Sequence, residues 1–203
     1  MAIGLDKIEG ALLGTMIGDA LGRPFEGTPV SDRRRLGRLI EGRVNAPRAW
    51  GYSDDAEMML AVGDSIVACG AVNEAHILET MATSHDVARG YGKGTRAAFR
   101  EWRETGSWEM ASRALWPEGS RGNGGAVRVA PVAVWHRESE AALVRDAARR
   151  SALPTHAHED AVAGAEMVSL AVWLALRGAS QANSCGLSQR SAQVRSSMSG
   201  CSA

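Results

Sequence analysis

Four glycines spaced by four residues, Gly10, Gly14, Gly18 and Gly22, run through the stretch "GALLGTMIGDALG" and constrain this chain more than any other local feature. Residues four apart share one face of an α-helix, so the spacing predicts a helix with a stripe bare of side chains. Each glycine costs about 1 kcal/mol relative to alanine in a helix interior. A helix that carries this cost four times is suited to close approach by another backbone. The alternative is a poor helix with a frayed end.

Helical spacing recurs through the rest of the sequence, and period-2 alternation of β-branched residues is almost absent. The expected fold is all-α, a compact multi-helix domain of about seven helices. Met58, Val62, Ser65, Ile66 and Cys69 line one side of a helix that Gly70 ends. Asn73 opens another, running through Ile77, Met81 and Ser84. "RGYGKGT" (residues 89–95) reads as a loop, with Thr95 capping a helix that carries Phe99 and Trp102. "EGSRGNGGA" (residues 118–126) reads as a second glycine-rich loop, leading into an apolar segment at 127–135 that Pro131 interrupts. Ser139 starts a helix through Leu143 and Ala147. After "THAHED" a long helix turns Val162, Ala165, Val168, Val172 and Leu176 inward. At Gly178 the composition changes: residues 178–203 hold eight serines and no acidic residue. The helical domain is therefore read as residues 1–177, and 178–203 as a disordered tail.

Formal net charge is zero, which argues against a broad footprint for DNA or RNA. The arginines Arg33, Arg34, Arg35, Arg38, Arg43 and Arg48 read as a solvated basic loop. The apolar run at 11–18 is shorter than the ~20 residues that cross a bilayer, and no signal-peptide pattern precedes it. No membrane partner is expected. Cys69, Cys185 and Cys201 make neither a metal-type spacing nor an even disulfide set, so the expected compartment is the cytoplasm.

The residues that could carry chemistry fall in loops and at helix starts. In "WGYSDDAEMML", Ser53 or Asp54 can cap a helix, with Asp54 and Glu57 spaced as a capping box. Asp54 and Asp55 can equally be hard-cation ligands, although with the Ser53 hydroxyl they supply three of the six oxygens that Mg²⁺ requires. The loop at 119–126 can cradle a phosphate on its backbone N–H groups or can be a plain turn. Arg128, just beyond it, could add a fixed positive charge. His156 and His158 suit capping as well as catalysis, and their spacing does not support zinc. Glu26, in "PFEG", reads as a surface acid by itself.

Taken together and in order, "GALLGTMIGDALGRPFEG" (residues 10–27), "YSDDAEMMLAV" (52–62), "RGYGKGT", "GSRGNGGAVRVAPV" (119–132) and "THAH" resemble the ADP-ribosylglycohydrolase family. "RGYG" with "GNGGAVRVA" is most similar to the branch that removes ADP-ribose from serine. The resemblance implies an all-α fold with a cleft for two Mg²⁺ ions, acting on an ADP-ribosylated protein or a small ADP-ribosyl compound. Ser53, in place of the family's threonine, would ligate metal with Asp54 and Asp55. Glu26 matches the family's candidate acid/base. Gly119, Ser120, Gly122, Asn123 and Gly124 match the loop that holds the diphosphate and the neighbouring ribose. His156 matches a substrate-side histidine, and Gly92 lines the same cleft. The implied reaction is metal-assisted hydrolysis at the ribose anomeric carbon.

The sequence departs from the family in one respect. The family completes its metal site with a later Asp-x-Asp followed by a hydroxyl residue, whereas here no aspartate follows Asp160 and Glu166 is the only later acid. Two expectations result. One is a family hydrolase whose sequence is cut short, its serine-rich end arising from a shifted reading frame after Arg177. The other is a catalytically dead short homologue that binds ADP-ribose or a partner. In either case the helices that would cover the glycine stripe are missing.

Overall fold

Local capping explains most helix boundaries. In the computed structural model, which describes residues 3–27, 33–45 and 51–179, ten helices form and no strand occurs among those residues. α1 spans Leu5–Gly22, α2 Arg33–Val44, α3 Asp54–Cys69, α4 Glu74–Ser84 and α5 Lys93–Thr105. The short α6 (Trp108–Ala111), α7 (Gly124–Val127) and α8 (Ala130–Trp135) precede α9 (Ala141–Ala152) and α10 (Glu159–Leu176). Arg48 and the serine-rich segment from 180 onward lie outside the described residues.

α3 begins at Ser53, whose hydroxyl accepts the Asp55 N–H at 3.2 Å. It ends at Gly70, whose positive φ of 69° completes a left-handed cap. Asn73 caps α4 by accepting the His76 N–H at 3.0 Å. Both starts match the sequence reading. The core gathers Met58, Val62, Ile66, Ile77, Leu78, Met81, Phe99, Val129 and Val132, all essentially inaccessible. Each such side chain contributes about 1.5–3 kcal/mol relative to exposure. α3 packs on α4 and α8, and α10 lies against α7, α8 and α9.

Several expectations are corrected. The arginine run forms α2 rather than a loop, and Arg43 donates to the Ala20 carbonyl at 3.0 Å. Pro131 does not interrupt α8: it sits in its first turn, where a missing N–H costs nothing. Gly92 precedes α5, and Thr95 is buried inside it rather than capping it. Glu140, not Ser139, is the N-cap position of α9. Cys69 is exposed at the C-terminal end of α3. On α10, Val162, Ala165 and Leu176 are buried, but Val168 is 41% exposed.

Val168 faces an open groove beside α1. There Gly14, Gly18 and Gly22 lie opposite Val168 and Val172 in a depression of about 530 Å³. A Cβ built on Gly10, Gly14, Gly18 or Gly22 would meet no atom within 4 Å among the described residues. The predicted stripe exists, and within these residues no backbone covers it.

Candidate active site

Four segments distant in sequence converge on one cleft of about 720 Å³, within the ~300–1,000 Å³ usual for small-molecule sites. The start of α3 contributes Asp54, Asp55 and Met58. The α5 entrance contributes Gly92, Lys93 and Thr95, and the segment from Trp116 to the glycine loop closes the other side with His156 and His158. Gly92, Gly119, Ser120, Gly122, Asn123, Gly124, Asp54, Asp55 and His156 all line this cleft. Ser53 and Glu26 do not.

Which residue caps α3 is decided by the geometry. Ser53 alone makes the cap, while Glu57 turns away to accept the Asp86 N–H at 2.9 Å and the Tyr91 hydroxyl at 2.7 Å. The expected Asp54–Glu57 capping box is therefore not formed, and the Asp54 and Asp55 carboxylates face the cleft. Burial pushes both carboxyl groups up, and neighbouring negative charge adds to the effect. Asp55 reaches about 6, under burial and then the charges of Asp54, Asp19 and Glu26. Asp54 moves the same way, burial again leading, with Glu26, Asp19 and Glu57 contributing.

Asp19, on α1, is a site residue that the sequence reading missed. Its carboxylate accepts the Ser53 N–H at 2.8 Å, the Ser53 hydroxyl at 2.6 Å and the Ala56 N–H at 3.2 Å. With its proton given to Asp19, the Ser53 oxygen keeps one lone pair beyond that used by Asp55. The available signal was a lone acid inside the otherwise apolar stretch "TMIGDALG".

These donors fit a hard cation in kind: they are oxygens, clustered, and mutually repelling without one. They supply one side of a coordination shell. Among the described residues no group of three or more His, Cys, Asp or Glu is arranged to hold a metal, and Ser53 is only 1% exposed. Mg²⁺ is commonly held by one or two carboxylates together with waters and ligand oxygens, so two carboxylates are compatible with it. Glu26 is exposed at the end of the 3-10 turn Arg23–Phe25, in the α1 groove. Asp55 borders both that groove and the cleft.

The glycine loop owes part of its composition to packing. Gly119 has φ +85°, and a Cβ there would lie 2.6 Å from the His158 nitrogen. A Cβ on Gly124 would lie 2.6 Å from His156 Cε1. The loop is thus pressed on the "THAH" segment. Ser120 Oγ accepts the Gly122 N–H at 3.2 Å, which removes one donor from any anion cradle. α7 has four residues, too few for a substantial helix dipole. Asn123 makes no capping bond and is exposed at the cleft.

Arg128 is not the cradle cation that the sequence suggested. It is fully buried, pointing away from the cleft onto the last carbonyls of α9. The cations that do border the cleft are Lys93, whose ammonium lies 5.7 Å from the Trp116 ring centre, and Arg121. Of the two histidines, His158 caps α10 by accepting the Asp160 N–H at Nδ1, while His156 faces the loop. Lys93, Trp116 and Arg121 were not singled out as site residues from sequence: Lys93 and Arg121 lie within the glycine-rich motifs but were passed over there, and Trp116 belongs to none of them.

Comparison with known proteins supplies the family. A profile described as ADP-ribosylglycohydrolase matches residues 2–199. The chain is 33% identical over 183 residues to ADP-ribosylhydrolase ARH3 of Danio rerio, covering 86% of this chain and 49% of that protein. It is 29% identical over 200 residues to ADP-ribosylarginine hydrolase Tri1 of Pseudomonas putida (strain GB-1), covering 94% and 52% respectively. A solved structure titled "ADP-ribosylglycohydrolase-related protein complex" superposes with a TM-score of 0.65 at 26% identity, covering 86% of this chain and 58% of that one. The chain spans about half the length of the curated relatives it matches. No helix among the described residues is long and apolar enough to cross a membrane. With an all-helical fold, five motifs in order and these matches, the chain belongs to the ADP-ribosylglycohydrolase family.

Proposed function

We propose that this chain binds an ADP-ribosyl group in the cleft and supports its Mg²⁺-dependent hydrolytic release from a protein side chain or a small ADP-ribosyl compound. The observation that carries the proposal is the convergence of Asp54, Asp55, the glycine loop and His156 on one cleft of ligand size. In this reading Asp54 and Asp55, with the Ser53 oxygen behind them, hold the two cations that the family resemblance implies. When bound, Mg²⁺ would supply Lewis-acid polarisation and alignment of the ribose hydroxyls.

The chain's own residues do the rest. The backbone of Gly119, Ser120, Gly122, Asn123 and Gly124 orients the diphosphate, with Lys93 and Arg121 favouring its charge at the rim. Gly92 leaves room opposite. As the glycosidic bond breaks, positive charge develops at the anomeric carbon, and the oxygen of a water takes the place of the departing group, giving up one proton as that group gains one. Glu26 is our candidate for proton transfer: its charge acts on Asp55, which borders both the α1 groove and the cleft.

Calorimetry with ADP-ribose, with and without Mg²⁺, tests the assignment. Affinity should rise with the cation and lose that dependence in the Asp54→Ala, Asp55→Ala double variant. Binding indifferent to both changes rejects the metal role. A second reading, a binding module without turnover, is favoured by the short donor set and by Glu26 lying outside the cleft. An ADP-ribosylated peptide separates the two: release of free ADP-ribose supports the hydrolase, and tight binding without release supports the module.

A further inference from the structure

Behind the cleft, Arg128 is a fully buried cation that, among the described residues, hydrogen-bonds to no carboxylate. Burial pushes its guanidinium down to about 10, so it stays charged near neutrality. Its NH2 group donates to the carbonyls of Ser151 at 2.6 Å and Ala152 at 3.2 Å, the last residues of α9. There the negative end of the helix and its orphan carbonyls stand in for a counter-ion. The other terminal nitrogen, NH1, donates to Thr155 Oγ1 at 2.7 Å. Thr155 Oγ1 in turn lies 2.7 Å from His156 Nδ1.

The direction of these bonds is fixed by chemistry. A guanidinium only donates, so the threonine oxygen accepts from it. Thr155 is 2% exposed, and Nδ1 is the partner present for its hydroxyl proton, which would otherwise be buried unpaired. Nδ1 is therefore an acceptor, and the ring proton resides on Nε2. Burial, and then the charge of Arg128, holds the imidazole neutral. Nε2 faces the glycine loop, 3.0 Å from where a Cβ on Gly124 would sit and 3.1 Å from one on Gly122. It has no hydrogen-bond acceptor among the described residues.

We propose that Arg128, acting through Thr155, is a positioning residue that fixes His156 as the Nε2–H tautomer, so that the ring presents a hydrogen-bond donor to a ligand oxygen at the glycine loop. That the ligand is an ADP-ribosyl group rests on the preceding section; the tautomer does not. The arrangement gives the loop a neutral donor where its own N–H groups are partly spent.

Long-range ¹H–¹⁵N correlation of the histidine rings near pH 7 tests this directly. His156 should show an unprotonated Nδ1 and a protonated Nε2 as a single species. In Arg128→Met, checked for folding by circular dichroism, Thr155 is free to accept, and the Nδ1–H form should appear. In Thr155→Val, Nδ1 should move to the position of a nitrogen without a hydrogen bond, and ADP-ribose should bind about tenfold more weakly, the equivalent of one lost bond. Thr155→Ser should restore both. A protonated Nδ1 in the parent, or spectra unchanged in both Arg128→Met and Thr155→Val, overturns the proposal. Absence of ADP-ribose binding by a parent with the expected tautomer counts instead against the ligand assignment.

Discussion

Replacing Asp55 by asparagine removes a charge from a place that disfavours it and keeps the shape of the side chain. In the native protein burial and the neighbouring carboxylates raise Asp55 from its ordinary 3.8 to about 6. Between those values the folded state binds more protons than the unfolded one, so this group's contribution to stability falls as pH rises through about 6. Holding it ionised well above that costs on the order of 3 kcal/mol, and solvent screening at a half-buried position reduces this to about 1–2 kcal/mol. Asp55→Asn should therefore be more stable than the parent by about 1–2 kcal/mol near pH 7.5 in chelator, and near parity at about pH 4. Urea unfolding of both proteins at the two pH values measures the difference. The comparison is needed because His156, held low by burial and then Arg128, pulls the parent profile the opposite way. Millimolar MgCl₂ should then stabilise the parent and leave the variant unchanged. A variant no more stable than the parent at the higher pH, or equally stabilised at both, refutes the electrostatic reasoning.

Gly124→Ala should lower stability by about 1–3 kcal/mol, seen as a fall in Tm, because its Cβ meets the His156 ring at 2.6 Å. Asn123→Asp should weaken ADP-ribose binding about tenfold, near 1.4 kcal/mol, by setting a carboxylate beside the diphosphate; calorimetry checks it. Although burial opposes it, hydrogen bonds from Arg150 hold Glu74 below its ordinary value. Glu74→Gln should therefore cost about 0.5–1 kcal/mol at neutral pH, a difference that fades in unfolding curves as pH falls through the carboxylate range.

What was legible in the sequence was mostly local. Ser53, Gly70 and Asn73 act on backbone groups within four residues, so their roles follow from neighbours alone. α2 was hidden because its arginines suggested a solvated loop, and charge outweighed the helical spacing of Leu36, Leu39 and Ile40. The cleft residues were legible as motifs in a resemblance, while their chemistry was not. Asp19 reaches Ser53 across 34 positions, and no local pattern records such a bond. Arg128 failed as a cradle cation for the same reason, since the carbonyls that hold it come from the end of α9. Glycines in the loop at 119–126 suggested a phosphate cradle, yet two of them are required by the segment pressing from behind.

α1 buries only Ala20 among its 18 residues and leaves Leu13 and Ile17 half exposed. Yet its Asp19 anchors the backbone and hydroxyl at the mouth of α3. The acid corner thus inherits the tenacity of a loosely seated helix. It comes apart at the free energy of lifting that helix, well below that of melting the core, and whatever clamps the bare stripe tightens the corner with it.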